Sequence, residues 1–256
     1  MKLRVLGAHN LESSGTRLES HLIDGAMALD AGSLTRALTF QEQAQVRAVL
    51  LSHRHFDHVR DLLPLGLALL EAGASVDVYG IQDTIDFVSS RLLDGSLYPD
   101  LLHIPSPQGP AIRLHPIEYC HEFKVLDYAV KAVPVPHTVP AAGYQITGNG
   151  RSLFFTGDAG HGLSAAWRHC RPHVLLTEVT FGDRQRAAAI EYGHLTPGLL
   201  REAMVDFVLQ KGYHPRVVVT HMSPSWESDI RAELEALKED LGLDLTVSRA
   251  DETFAI

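Results

Sequence analysis

The sequence is poor in cysteine and has no long apolar run. Its 256 residues include two cysteines, Cys120 and Cys170, without the C-x-x-C spacing of a metal site. A disulfide framework is therefore not indicated, and two free thiols are expected. Residues 1–7 lack the apolar core of a signal peptide, and no apolar run approaches the length of a transmembrane helix. Together these absences predict a cytoplasmic protein.

The sequence also lacks a cluster of basic residues. Its formal net charge is −9, and the Lys and Arg residues are scattered along the chain. A long polyanion such as tRNA or duplex DNA is bound through a basic patch or stripe, so nucleic acid is not an expected partner. The apolar content of 45% is ordinary for a globular protein, and no repeat or linker divides the chain. A single domain over residues 1–256 is predicted.

The most informative segment is Ser52-His53-Arg54-His55-Phe56-Asp57-His58, which directly follows an apolar run at residues 48–51. Side chains alternate along a strand, so the first two histidines can point toward one ion. The last two polar residues begin a predicted helix over residues 57–70 and can face a second ion. Imidazole and carboxylate groups suit Zn²⁺ and its first-row neighbours. The segment predicts a dinuclear metal site, against the alternative of a histidine-rich surface loop that binds nothing.

Three later apolar segments end in the same way. Residues 133–136 lead to His137, residues 153–157 lead to Asp158, and residues 217–220 lead to His221. Each of these residues alone could be a hydrogen-bonded structural residue. Together with the first segment they form a set of seven candidate ligands on rigid strand ends, where a precise site is best supported.

In its order along the chain, this set resembles the metallo-β-lactamase superfamily, whose members share an HxHxDH motif, a separate His, a Gly-Asp pair and a late His. The resemblance covers essentially the whole chain. It implies an α+β fold, the αββα sandwich of two mixed β-sheets flanked by helices, with a site for two divalent metal ions at one edge. Zn²⁺ is expected first, with Mn²⁺ and Fe as alternatives. The implied ligands are His53, His55 and His137 for one ion, Asp57, His58 and His221 for the other, and Asp158 as the bridge.

A second motif resembles one branch of that superfamily. Residues 177–181 read Thr-Glu-Val-Thr-Phe and residues 193–197 read Gly-His-Leu-Thr-Pro. They are similar to the Glu-x-Thr-Phe and His-x-Thr motifs of the phosphodiesterase branch, which includes tRNase Z and the class II cyclic-nucleotide phosphodiesterases. The resemblance implies that His194 protonates the leaving oxygen and that Glu178 orients His194. It also implies that Asp158 takes part in catalysis. A surface His ahead of a helix cap and a satisfied strand-end carboxylate are the structural alternatives.

The substrate is predicted to be a small phosphodiester, most directly a 3′,5′-cyclic nucleotide hydrolysed to the 5′-monophosphate. The ribonuclease relatives carry a long arm, typically between the separate His and the bridging Asp, and residues 138–157 are too few for it. Residues 94–110 are predicted to be an irregular loop over the site, with Tyr98 stacking on a base. His9, Asn10 and residues 13–15 could line the pocket, although loop polarity explains them equally well.

Three alternatives remain open at this point. The first is an RNA-processing nuclease of the same branch. The second is a lactone or β-lactam hydrolase, which would not need Glu178 and His194. The third is a metal-stabilised protein without activity. A homodimer is expected from the relatives that the resemblance suggests.

Overall fold

Two β-sheets pack face to face in the computed structural model, which describes residues 1–104 and 109–256. The strands of the first sheet are β1 (Lys2–Gly7), β2 (Ser20–Ile23), β3 (Met27–Leu29), β4 (Ala48–Leu50), β5 (Val76–Ile81), β6 (Ile112–Ile117) and β14 (Thr253–Ala255). Their order is β14-β1-β2-β3-β4-β5-β6. The pairs from β14 to β3 are antiparallel and those from β3 to β6 are parallel.

The second sheet is also mixed. Its strands are β7 (Glu122–Val125), β8 (Tyr128–Val135), β9 (Ala141–Gly148), β10 (Arg151–Phe155), β11 (Val174–Glu178), β12 (Arg216–Thr220) and β13 (Leu245–Val247). They lie in the order β13-β12-β11-β10-β9-β8-β7. The pairs from β7 to β10 are antiparallel and those from β10 to β13 are parallel.

Helices cover the outer faces of both sheets. They are α1 (Leu34–Ala37), α2 (Phe40–Gln43), α3 (Phe56–Val59), α4 (Leu62–Glu71), α5 (Gln82–Phe87), α6 (Arg186–Tyr192), α7 (Pro197–Lys211) and α8 (Glu227–Leu241). A π-helical turn at Val88–Leu92 extends α5, and 3₁₀ turns lie at Leu163–His169 and Asp183–Gln185. None of these helices is long and apolar enough to cross a lipid bilayer.

Alternation along the strands explains the layers. In β10, Leu153 and Phe155 face the core between the sheets, whereas Phe154 faces the core beneath α7 and α8. A third core lies between the first sheet and α4. Because both faces of each sheet are buried, the strands are short apolar runs, as the sequence suggests. The αββα sandwich implied by the resemblance is confirmed.

The predicted helix over residues 57–70 was wrong, because the chain breaks it into α3 and α4. Pro64 has no amide hydrogen to bond the carbonyl four residues earlier, so it fits only the first turn of a new helix. The carboxylate of Asp61, at the start of α4, accepts hydrogen bonds from the backbone N–H and hydroxyl of Thr35, each at 2.8 Å. The break keeps α3 short and directs its first turn toward the site.

The segment at residues 94–110 and the two cysteines were also predicted from the sequence. The described part of residues 94–110 contains no helix or strand, as predicted, and residues 105–108 lie outside the described residues. Leu101 of this segment is buried in the core against α4. Both cysteines are free, with Cys120 exposed and Cys170 buried.

Candidate metal centre

Ligand-capable side chains from both sheets meet at one edge of the sandwich. The loop after β4 carries His53 and His55, and α3, which follows it, carries Asp57 and His58. His137, Asp158 and His221 come just after the carboxyl ends of β8, β10 and β12 in the other sheet. The structure brings all seven predicted metal ligands into clusters whose ligand atoms lie within 4.8 Å of one another.

The first cluster contains three histidines. Nε2 of His53 lies 2.9 Å from Nδ1 of His55, and Nε2 of His137 lies 3.1 Å from the same atom. Oδ2 of Asp158 lies 3.6 Å from Nε2 of His53. Three ring nitrogens and one carboxylate oxygen therefore surround one point.

The second cluster lies on the other side of Asp158. Nε2 of His221 is 3.2 Å from Oδ2 of Asp57 and 3.3 Å from Oδ1 of Asp158. Nε2 of His58 is 3.3 Å from Oδ2 of Asp158 and 3.6 Å from Oδ2 of Asp57. Asp158 thus faces both clusters, as a bridging ligand would.

Hydrogen bonds behind the first cluster fix which ring nitrogen is free. The Ser52 hydroxyl donates to Asp30 at 2.7 Å, so its oxygen accepts from Nδ1–H of His53 at 3.0 Å. Nδ1–H of His137 donates to the carbonyl of Gly193 at 2.8 Å. In both rings Nε2 is left unprotonated and faces the cluster, which is the state that binds a metal ion.

The second cluster is oriented in the same way. Nδ1–H of His58 donates to Asp30 at 2.7 Å. The Thr180 hydroxyl donates to Glu178 at 2.6 Å and accepts from Nδ1–H of His221 at 2.9 Å. In the neutral form of each ring, Nε2 therefore carries the free lone pair. The sequence analysis missed Asp30, although it directly follows β3 just as the predicted ligands follow their strands. Thr180 is the threonine of the Glu-x-Thr-Phe motif, but the sequence analysis gave it no role.

A glycine sets the spacing between His137 and His194. Gly193 ends α6 with a φ of 71°, a conformation that favours glycine. A Cβ atom there would lie 2.9 Å from the backbone nitrogen of Thr138 and 3.0 Å from Nδ1 of His137. Gly193 therefore lets its own carbonyl reach His137 while the next residue, His194, turns into the site.

The residues present fit two cations. His58 Nε2 and Asp158 Oδ1 are buried polar atoms without a hydrogen-bond partner among the described residues. Burial lowers the pKa of His53 well below its usual value, which keeps this ring neutral. Burial also opposes protonation of His221, but Asp158 and Asp57 outweigh it and raise the pKa of His221 to about 9. The carboxylates thus attract positive charge to a buried point, which a pair of divalent ions satisfies.

His194 and Glu178 form a pair beside the two clusters. Nδ1–H of His194 donates to Oε1 of Glu178 at 2.8 Å, and the same nitrogen is 3.9 Å from Oδ2 of Asp158. Because Nδ1 is occupied, the nitrogen that can act on another molecule is Nε2. Burial opposes the charged form, but Glu178 and then Asp158 raise the pKa of His194 above its usual value.

A cavity of about 430 Å³ opens in front of the ligands. His55, Asp57, Asp158, His194 and His221 line its base. Its rim comes from the N-terminal loop and α3, with Asn10, Leu11, Glu12, Leu18, Phe56 and Arg60.

The prediction that residues 94–110 cover the site receives no support, since none of the described residues of that segment lines this cavity. The core under α4 holds this segment through Leu101, and the N-terminal loop takes its place at the site. Of the predicted pocket residues in that loop, Asn10 lines the cavity, and Leu11 and Glu12 were missed. Arg36 holds the loop in position by donating to Glu12 at 2.9 Å.

Comparisons with known proteins agree with this architecture. The profile described as "Beta-lactamase superfamily domain" matches residues 22–222, which include all seven predicted ligands. Ribonuclease Z of Methanopyrus kandleri is 26% identical over 242 residues, covering 83% of this chain and 79% of that protein. The metallo-beta-lactamase fold protein YhfI from Bacillus subtilis has a TM-score of 0.79 at 16% identity, covering 99% of this chain and 98% of its own. Unliganded yeast PDE1 also has a TM-score of 0.79, at 15% identity and 98% coverage of both chains.

Proposed function

This chain belongs to the metallo-β-lactamase superfamily, and on that premise we propose that it is a dinuclear metal-dependent phosphodiesterase. Its proposed substrate is a small phosphodiester, most directly a 3′,5′-cyclic nucleotide opened to the 5′-monophosphate. The observation that carries this proposal is the His194–Glu178 pair, whose 2.8 Å hydrogen bond places a proton donor beside the metal ligands. The alkoxide that leaves phosphorus is a poor leaving group, so a proton donor at this position assists its departure.

The chain's own residues have distinct roles in this proposal. Divalent ions bound by the seven ligands supply an activated water molecule and neutralise phosphate charge. Glu178 holds Nδ1–H of His194, so the proton available for transfer is the one on Nε2, on a ring that lines the cavity. That proton goes to the departing ribose oxygen. Asp158 lies between the two ligand clusters and orients both by its position.

The cavity suits a small substrate. Its volume of about 430 Å³ is in the usual range for small-molecule sites. Leu11 and Phe56 on its rim are 56% and 65% exposed, which leaves apolar surface for a nucleobase. Between His137 and Asp158 the chain forms only β9, β10 and a short turn, with no inserted arm. These features support a mononucleotide over a folded RNA.

Cleavage of RNA is the second candidate function. It is favoured by the similarity to Ribonuclease Z of Methanopyrus kandleri along most of both chains. The two candidates share the metal centre and the His194–Glu178 pair, and they differ in what the rim must bind. Parallel assays on cyclic AMP, cyclic GMP and a precursor tRNA separate them: cleavage of the precursor without hydrolysis of either cyclic nucleotide would favour the nuclease.

The test of the chemistry is a substitution at His194. We expect His194→Ala to lower kcat for a cyclic nucleotide by about 10²- to 10⁴-fold, because the alkoxide then leaves without a proton. Bis-p-nitrophenyl phosphate has a leaving group that needs no proton, so its hydrolysis should fall much less. Steady-state kinetics on both substrates, with metal content measured for each variant, provide the comparison. The matched control is His161→Ala, since His161 is exposed and does not line this cavity.

Two results would contradict the proposal. If His194→Ala lowers kcat equally for both substrates, His194 is not the proton donor. Turnover of lactones by a metal-loaded protein that hydrolyses no phosphodiester would favour the lactonase alternative. The predicted homodimer and the cytoplasmic location belong to the same proposal, and light scattering of the purified protein tests the first.

A further inference from the structure

A second cavity lies at the opposite end of the second sheet from the metal centre. Its volume is about 440 Å³, and five basic residues line it: Lys131, Arg151, Arg168, Arg171 and Lys211. We refer to this cavity as the basic groove. Arg151 begins β10, whereas Asp158 follows the end of that strand. At about 3.3 Å per residue, the two sites are on the order of 20 Å apart.

The basic residues of the groove come from separate parts of the chain. Lys131 lies on β8 and Lys211 ends α7. Arg168 belongs to the 3₁₀ turn, and Arg171 follows it before β11. Both lysines are close enough to Cys170 to lower the pKa of its buried thiol, although burial raises that pKa more. The fold therefore gathers positive charge that is dispersed in an acidic sequence.

These cations lack the partners that surface cations elsewhere in the protein have. Arg113 pairs with Asp77 at 2.7 Å and Arg186 pairs with Glu202 at 2.9 Å. Within the described chain, none of the five groove residues forms an ion pair. Arg171 instead stacks on Tyr213, with its guanidinium 5.1 Å from the ring centroid. Glu122 is the one carboxylate among the lining residues.

The groove also contains an oriented neutral donor. The backbone N–H of Ser152 donates to Nδ1 of His173 at 3.1 Å, so the proton of the neutral ring is on Nε2. His173 is exposed and lines the groove. The unpaired cations and the imidazole of His173 line one concave space and form a set of donors that outnumbers its single carboxylate, Glu122. Such a set is complementary to phosphate oxygens.

We propose that the basic groove binds a small phosphate-bearing polyanion, such as an inorganic polyphosphate or a nucleoside triphosphate, at a site separate from the metal centre. The cavity volume is in the range of small-molecule sites. The acidic remainder of the protein opposes a long polyanion that would extend beyond the groove. This proposal does not depend on the proposed function.

The test compares binding by variants, using isothermal titration calorimetry with tripolyphosphate and with ATP. The three proteins compared are the unsubstituted protein, Arg151→Gln/Arg168→Gln and Arg47→Gln/Arg91→Gln. The two double variants lose the same charge. Arg47 and Arg91 are exposed and lie outside the groove. Binding of phosphate at the metal centre contributes equally to all three proteins. We expect the groove variant to weaken binding at least tenfold and the control variant to change it less than twofold.

Acetylation of lysines provides a second measurement that does not depend on variants. Either polyanion should protect Lys131 and Lys211 from an acetylating reagent, read by mass spectrometry, and leave Lys2, Lys124 and Lys238 reactive. Equal affinity for tripolyphosphate and ATP would show that the groove recognises the phosphates alone. Tighter binding of ATP would show that the nucleoside also contributes to binding. The proposal is overturned by the absence of saturable binding, or by equal losses in the two double variants. A single-stranded RNA dodecamer that binds more tightly than either polyanion and protects the same lysines would also overturn the proposal, because the groove would then be a nucleic-acid interface.

Discussion

Asp30 is a single buried carboxylate that serves both ligand clusters. It accepts hydrogen bonds from the Ser52 backbone N–H, the Ser52 hydroxyl and Nδ1–H of His58, each at 2.7 Å. Through Ser52 it also orients His53. Burial raises the pKa of Asp30, and His58 and Ser52 counteract that rise by stabilising the carboxylate. Residues behind metal ligands in this way commonly control metal affinity.

We expect Asp30→Asn to weaken metal binding by about 10- to 100-fold, because the amide cannot accept from all three donors. The backbone should tolerate the change, since asparagine adopts the positive φ of 55° found at Asp30. Competition with a chromogenic chelator measures the affinity, and Asp127→Asn, at an exposed position, is the control. An unchanged affinity in Asp30→Asn would show that the ligands are held by packing alone.

At the scale of elements, the exposed edge of the first sheet depends on a cross-strand charge pair. Asp77 of β5 lies opposite Arg113 of β6 and accepts two hydrogen bonds from its guanidinium, at 2.7 and 2.9 Å. His115 donates to the same carboxylate at 2.7 Å. The hydrogen bonds from Arg113, and after them the hydrogen bond from His115, lower the pKa of Asp77 from its usual value, although partial burial opposes the change.

This lowered pKa predicts the direction of an acid effect. A carboxyl whose folded pKa is depressed stabilises the fold above its unfolded pKa, and loses that contribution as the pH falls through the folded value. We therefore expect Asp77→Asn to lose less stability than the wild-type protein on acidification from about pH 5 to about pH 3. Urea unfolding across this range measures the difference. Asp86→Asn, whose carboxylate accepts from Gln82 rather than from a cation, should follow the wild-type protein. Parallel curves for Asp77→Asn and the wild type would contradict the assignment.

For the whole molecule, the candidate metal centre lies where the two sheets meet. His53, His55, Asp57 and His58 follow a strand of the first sheet, whereas His137, Asp158 and His221 follow strands of the second. Ions bound by both groups bind the folded state in preference to the unfolded chain. A ligand at a hundred times its dissociation constant stabilises such a protein by about 2.7 kcal/mol.

We expect removal of metal by a chelator to lower the unfolding temperature by about 5 to 10 °C, which corresponds to that free energy for a chain of this size. Differential scanning calorimetry before and after dialysis against the chelator measures the shift, and added Zn²⁺ should restore it. His221→Ala, which removes a ligand from the second sheet, should show a smaller chelator effect. If the chelator leaves the unfolding temperature of the metal-loaded protein unchanged, the sheets are held together without the ions.

The sequence alone identified the apolar strands and the ligand-capable residues at their ends. These features are local: a strand is a short apolar run, and a ligand is a residue type at a fixed distance from it. Helix boundaries were less certain, as the interruption between α3 and α4 shows, because they depend on a contact between Asp61 and the distant Thr35.

Only the tertiary structure decided which ring nitrogens are free, which loop borders the cavity and where the cations gather. Asp30 and Thr180 orient ligands through hydrogen bonds whose partners include residues 28 and 41 positions away in the chain. The basic groove unites cations that the sequence disperses between positions 131 and 211. Such features arise from contacts between distant segments, and the order of residues along the chain does not contain their distances.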